Sequence, residues 1–345
     1  MLERSIIRIA AAVTGALLLA GCTARLDPAP SGAPISFDAG SSLLRDNDTR
    51  ATLPVGTHFG VFAYQQNGSV NSPGTWNYSR KPGFMFNTDV LFNGATYTYS
   101  PLRYWPAPEN TLTFWAYCPY TSSPDLVVTN NTTAFTKNSS GLPDIRYTTD
   151  GHTDFMLTGL VKNQTRTTNS GVVELEFNHA MSKLNVTAKK KDPENHYTVK
   201  LKAVSFNGIF MSGTARWNRS PEGWTWASWS GARANLPLWS EDPDDPADDI
   251  ELTATAAAVP GFVIPLPQLL DNQAARLHVE FSVSYAGILH ERNTTREVFL
   301  SDIFTSGWEK GSHYTLELEI SPDDPIEFTV SWDDWGADHN YFITS

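Results

Sequence analysis

Cys22 stands behind Leu19-Ala20-Gly21 at the close of an apolar run, residues 9–20, that follows Arg4 and Arg8. About a dozen apolar residues suit an export signal and are short for a membrane span. A leucine, two small residues and a cysteine at that point match the bacterial lipobox. The chemistry is acylation of the Cys22 thiol with diacylglycerol and cleavage just before it, so residues 1–21 read as a lipoprotein signal peptide. Arg45 and Arg50 mark a second place of chemistry, here as substrate. They lie in the polar stretch 41–52 beside Asp46, Asn47 and Asp48, where an exposed loop is open to proteolysis.

Enzymatic chemistry of the chain's own leaves little trace. There is no Gly-x-Ser-x-Gly, His-Glu-x-x-His, phosphate-binding loop or dinucleotide fingerprint. The eight histidines are scattered singly, and His179, inside a strand pattern, reads as structural. The acidic stretch 241–251 lacks the alternating aspartates and glycine of a calcium loop and reads as solvated. No cofactor and no metal are implied. A net charge of −12 argues against nucleic acid, which needs a basic face. Five of the 11 tryptophans fall between Trp217 and Trp239. Indoles stack on sugar faces, which makes Trp224, Trp226 and Trp229 candidate glycan contacts and a glycan-binding outer-membrane lipoprotein the alternative function. Burial in a β core is the competing reading, and the one favoured. Cys118 is the only cysteine besides Cys22 and reads as a small buried hydrophobe.

The elements that must carry these residues are strands. Aromatic residues make up 12% of the chain, with 22 prolines and 23 glycines, a mix that favours strands and turns. Residues 22–34 read as a tether. Ile35-Ser36-Phe37 then puts two apolar side chains on one face of a strand. Residues 59–64 are apolar on both faces; Tyr97 and Tyr99 alternate with threonine; residues 112–117 end at Pro119. The polar stretch 163–171 marks a boundary between domains at 35–170 and 171–345. Apolar positions are odd at Val173, Leu175 and Phe177 and even at Leu184 and Val186, which predicts a β-bulge between them. Strands are expected again at 262–267 and 277–285, and a hairpin from 314–320 and 326–332. No stretch keeps a helical period, so helices should be few and short. The expected class is all-β, with two β-sandwich domains.

Several blocks, in order, resemble the fimbrillin (Mfa-like) family of Bacteroidia-type, or type V, pili. They are the lipobox, Gly60-Val61-Phe62-Ala63-Tyr64, Tyr97-Thr98-Tyr99-Ser100-Pro101-Leu102-Arg103-Tyr104-Trp105-Pro106, Phe114-Trp115-Ala116-Tyr117-Cys118-Pro119, Asp154-Phe155-Met156, Phe177-Asn178-His179-Ala180-Met181-Ser182-Lys183-Leu184 and Trp308-Glu309-Lys310-Gly311-Ser312-His313-Tyr314. The resemblance implies sandwich domains of transthyretin-like topology and a structural, non-enzymatic pilin. Lipidation falls on Cys22, and Ile35 and Phe37 lie in a removable first strand. Cleavage follows Arg50 or Arg45, with Arg50 favoured because it leaves Ala51 ahead of the first retained strand. The vacated groove takes a neighbour's C-terminal strand, here Ile326, Phe328, Val330 and Trp332. Implied partners are other pilin subunits, the outer membrane through the lipid on Cys22, and host or bacterial surface ligands in adhesion. The short stretch past Trp335, with Tyr341, Phe342 and Ile343, suits a tip or anchor subunit better than a stalk subunit.

Overall fold

The computed structural model describes residues 32–39, 53–191, 196–242, 244–245, 250–270, 274–286, 292–322 and 324–335. The first strands are β1 (Ser36–Asp38), β2 (His58–Gln66), β3 (Met85–Phe92), β4 (Tyr97–Tyr99), β5 (Thr111–Cys118), β6 (Asp125–Val128) and β7 (Pro143–Thr148). There follow β8 (Met156–Thr158), β9 (Val161–Gln164), β10 (Val172–Glu174), β11 (Phe177–His179), β12 (Lys183–Lys190), β13 (Tyr197–Arg219) and β14 (Glu222–Ser240). The last are β15 (Ile250–Glu251), β16 (Ala257–Ala258), β17 (Arg276–Tyr285), β18 (Arg292–Phe299), β19 (Ser312–Ile320) and β20 (Glu327–Asp334). Among the described residues helix is confined to α1 (Leu300–Ile303) and one 3-10 turn, Thr168–Gly171. The all-β expectation holds.

Packing follows from which strands are apolar on both faces. β2 and β5 are neighbours at the centre of the sheet β11-β8-β5-β2-β3-β4, and all eight residues of β5 are buried. On one face Phe59, Val61, Leu112, Phe114 and Ala116 pack against Ile35 and Phe37 of the β1 segment and Val173 and Leu175 of the β10 segment. On the other, Phe62, Tyr64, Trp115 and Tyr117 meet Leu126, Ile145, Trp224, Ile264 and Leu266. A strand covered on both faces needs a continuous apolar run, which is why these stretches do not alternate. Gly60 is part of that fit, because an added Cβ there would run into the Tyr117 ring. In the second half, alternation returns. Leu184, Val186, Leu316 and Leu318 of the sheet β16-β12-β19-β20 face Val199, Leu201, Leu277 and Val279 of the sheet β18-β17-β13-β7-β6.

Two expectations meet a different structure. The change of phase after Phe177 is a change of sheet, not a bulge: β11 pairs with β8, residues 180–182 turn, and β12 pairs with β19. Residues 263–267 are buried and Phe262 partly so, but they bridge only at Val263 to Leu184, so their apolar run fills a core without joining a ladder. Just past residue 171, β10 pairs with β1 in a two-stranded parallel ladder. The expected hairpin at the end of the chain is present, with β19 and β20 paired antiparallel from Ser312↔Asp334 to Glu319↔Glu327.

The sequence reading missed one element. β13 and β14, of 23 and 19 residues, form a hairpin turned at Ser220-Pro221, far longer than the five or six residues of an ordinary strand. One part of β13 pairs with β17, another with β7. The tip reaches the first layer, where Glu222 takes the Lys162 ammonium and the Tyr78 hydroxyl, the latter at 3.0 Å.

Candidate functional site

The segment 33–39 is held between two neighbours. On one side Ser36, Phe37 and Asp38 pair in parallel with Val172, Val173 and Glu174, and the Leu175 N–H donates to the Asp38 carbonyl at 2.7 Å. On the other, Pro34 bridges to Tyr104, and the Ile35 N–H donates to the Arg103 carbonyl at 2.8 Å. Ile35, Phe37 and Ala39 face one core and are 2%, 4% and 3% exposed. Phe37 meets Tyr99 and Phe114 edge-on, with ring centroids 5.6 and 6.1 Å away. Burying an isoleucine and a phenylalanine stabilises the seated strand by about 3–6 kcal/mol, a large share for so short an element.

Two phenols fasten the ends of this strand. Tyr99 donates to the Ile35 carbonyl at 2.9 Å and Tyr97 to the Ala39 carbonyl at 3.1 Å. Burial pushes both phenol pKa values up, so both remain protonated donors through the neutral range. The two side chains come from β4, about sixty positions downstream, and sequence spacing gives no sign of the contact. Arg45 and Arg50 lie outside the described residues. The nearest described residues on either side, Ala39 and Leu53, are both buried in the core that holds Phe37. Cys22 and the stretch 336–345 also lie outside the described residues.

The candidate donor strand occupies a place of its own. β20 is the outer strand of its sheet, paired along its length with β19. Ile326 is buried, Phe328 and Val330 are half-buried, and Trp332 is 68% exposed. Just beyond, Trp335 is buried and stacks on His179 at a ring separation of 4.0 Å.

His179 is structural in the sense expected. Its Nδ1 meets the Asp154 carboxylate at 2.6 Å, and both side chains are buried. The Lys183 ammonium lies over the Phe262 and Trp335 rings. Burial lowers the Lys183 pKa to about 8, against the raising fields of Asp154 and Asp333. Asp154 Oδ1, His179 Nε2 and Trp335 Nε1 have no hydrogen-bond partner among the described residues. Burial likewise pushes the Cys118 thiol well above its ordinary value, which disfavours the thiolate.

The tryptophan cluster is built into the packing. Trp224 is buried between Trp115 and Trp217, with centroids 5.2 and 5.5 Å away. Ring N–H groups of Trp224, Trp226 and Trp229 donate to the carbonyls of Thr158, Ala180 and Pro267 at 2.9, 2.6 and 2.7 Å. These bonds tie the hairpin to its neighbours, and Trp224 has no face left for a sugar.

The site is thus a short strand, seated in a core, flanked by a stretch with two arginines, within an all-β chain. The family model described as fimbrillin-like matches residues 49–335, and the chain belongs to that family. Fimbrium subunit Fim1C of Phocaeicola vulgatus is 30% identical over 153 residues, which cover 39% of this chain and 38% of that protein. The chain therefore matches less than half the length of that relative. The crystal structure of a fimbrial protein from Bacteroides vulgatus superposes with a TM-score of 0.63 at 18% identity, covering 88% of this chain and 99% of that one. At that identity the likeness speaks to fold alone.

Proposed function

We propose that this chain is a structural subunit of a fimbrium, or an accessory pilin at its tip or anchor, that reaches the outer membrane and cell surface as a lipoprotein acylated on Cys22 and contributes to adhesion. In this reading β1 is a temporary occupant of its groove. Cleavage after Arg50, or after Arg45, frees it, and a strand from a neighbouring subunit replaces it. The observation that carries the reading is the seat of Ile35 and Phe37. They are almost fully buried, yet their strand has only three ladder pairs, Ser36↔Val172 to Asp38↔Glu174. An emptied seat of that kind exposes apolar surface and unpaired main-chain groups, and both favour strand addition. The strand that includes Ile326, Phe328, Val330 and Trp332 is the donor in this reading. It must leave its edge position beside β19 to serve. The chain performs no reaction itself and needs no cofactor.

We also read the chain as two sandwich domains of transthyretin-like topology. The core around β2 and β5 and the core between β12, β19, β13 and β17 support two domains, 35–170 and 171–345 in this reading. The test of the function is treatment of the purified chain with an arginine-specific protease. A product that starts at Ala51 or Asp46, together with ladders of subunits on gels, is the expected result. A cut chain that stays monomeric at high concentration would overturn assembly by strand replacement.

A further inference from the structure

Lys202 stands where β13 loses step with its neighbours. Leu201 pairs with Phe281 of β17 and Ala203 with Glu280, so Lys202 is passed over in that ladder. On the other side of β13 the partner itself changes: Ala203 pairs with Ser240 at the end of β14, and Leu201 with Ile250 of β15. One extra residue of this kind is a β-bulge, which here puts two successive side chains on the same face. Leu201 and Val204 are buried in the core between the sheets, while Lys202 and Ala203 are half-buried on the opposite, outer face.

Directly paired residues share a face, so Ser240, Ala203, Glu280 and Thr295 form a row across β14, β13, β17 and β18. Its small apolar member, Ala203, lies between polar neighbours. An open cavity of about 480 Å³ stands over this row, bordered also by Lys202, Glu241 and Asn293, and its size suits a small molecule. Charges around it are matched within the protein. The Lys202 ammonium donates to Glu241 Oε2 at 2.7 Å, and His278 Nε2 meets Glu280 Oε1 at 2.9 Å. The second oxygen of each carboxylate, the Ser240 and Thr295 hydroxyls and the Asn293 amide have no hydrogen-bond partner among the described residues.

Chemistry narrows the ligand. An anion would meet two carboxylates. A divalent cation needs several converging ligands, and among the described residues no three metal-binding side chains gather. An apolar molecule would strip water from polar groups and give no hydrogen bond in return. A polyol fits, since each of its hydroxyls both donates and accepts. It can donate to the spare carboxylate oxygens and accept from the serine, threonine and asparagine groups. We propose that this cleft binds a neutral sugar, with Glu241 and Glu280 accepting from its hydroxyls and Ala203 as the floor beneath its ring. The site uses none of the hairpin's tryptophans and no residue of the β1 groove, so the uncut chain carries it complete.

The probes are the methyl glycosides of glucose, galactose, mannose and N-acetylglucosamine, with glucuronate and glucosamine as charged controls. Saturation-transfer NMR on the uncut full chain reads binding, and titration gives the affinity. A handful of neutral hydrogen bonds supports a dissociation constant on the order of millimolar for at least one neutral glycoside, and glucuronate should bind more weakly than that sugar. Ala203→Leu fills the floor and should abolish the signal. Thr295→Val keeps the side-chain shape, removes one hydroxyl and should weaken binding about fivefold, the worth of one neutral hydrogen bond. Melting curves show whether the variants fold; if the leucine variant does not, the valine variant carries the test. No response to any neutral glycoside up to tens of millimolar overturns the proposal. Binding that survives both substitutions in folded chains also overturns it, by placing the sugar elsewhere. Tighter binding of glucosamine than of every neutral sugar overturns the neutral ligand, since the carboxylates would then be reading a cation.

Discussion

Single polar residues sit buried where there is little water. His179 and Asp154 form a buried hydrogen-bonded pair, and removing one partner leaves the other's polar atom buried and unsatisfied, at a cost of about 1–3 kcal/mol. His179→Ala should therefore lower the urea unfolding free energy by that amount, and it also removes the ring on which Trp335 rests. Lys183 predicts a pH effect of definite sign. Its folded pKa of about 8 lies below the ordinary lysine value of 10.5, so between those values the unfolded chain binds the extra proton and stability rises with pH. The rise from this group should be absent in Lys183→Met, seen as the difference between the two unfolding curves from pH 7.5 to 10.5. Alternation around Phe177 suggested that His179 was structural. Its partner Asp154 was not legible, because a side-chain pair formed by folding leaves no spacing in the sequence.

At the scale of elements, β1 is the part whose worth should depend on the state of the chain. Phe37→Ala removes a buried ring between Tyr99 and Phe114 and should destabilise the uncut protein by about 3–5 kcal/mol. After cleavage and assembly the same substitution should have no effect on the melting of the product, because the strand that holds it has left. A loss of equal size in both states would mean that β1 stays. The two apolar residues on one face of this strand were readable from alternation alone. Its fasteners were not: Tyr97 and Tyr99 stood in a recognisable block, but side chains that donate to a distant main chain carry no local signature. The bulge expected after Phe177 shows a related limit, since a change of phase looks the same whether a strand is kinked or the chain moves to another sheet.

On the scale of the whole molecule, the long hairpin decides how the cores answer to one another. Trp224 joins Trp115 of the first layer and Trp217 of its own hairpin, and its ring N–H is bonded to Thr158. Trp224→Ala should cost about 3–5 kcal/mol and loosen this joint. The expected outcome in calorimetry is one transition in the parent and two in the variant, with the core around β2 and β5 melting first. The five clustered tryptophans were evident in the sequence, and a core role was the favoured reading. The span of the hairpin was not, because its strands are only partly covered and their alternation is broken by register shifts such as that between Thr214 and Ala215.

The short ladder of β1 also bears on timing. While the strand is joined to the rest of the chain it is a tethered ligand, with an effective concentration on the order of millimolar. A cut in that link changes no contact in the groove. It turns a ligand that always rebinds into one that dilutes away, so an incoming strand with the same pockets to fill need not bind more tightly to win; it needs only to be present when the old one leaves.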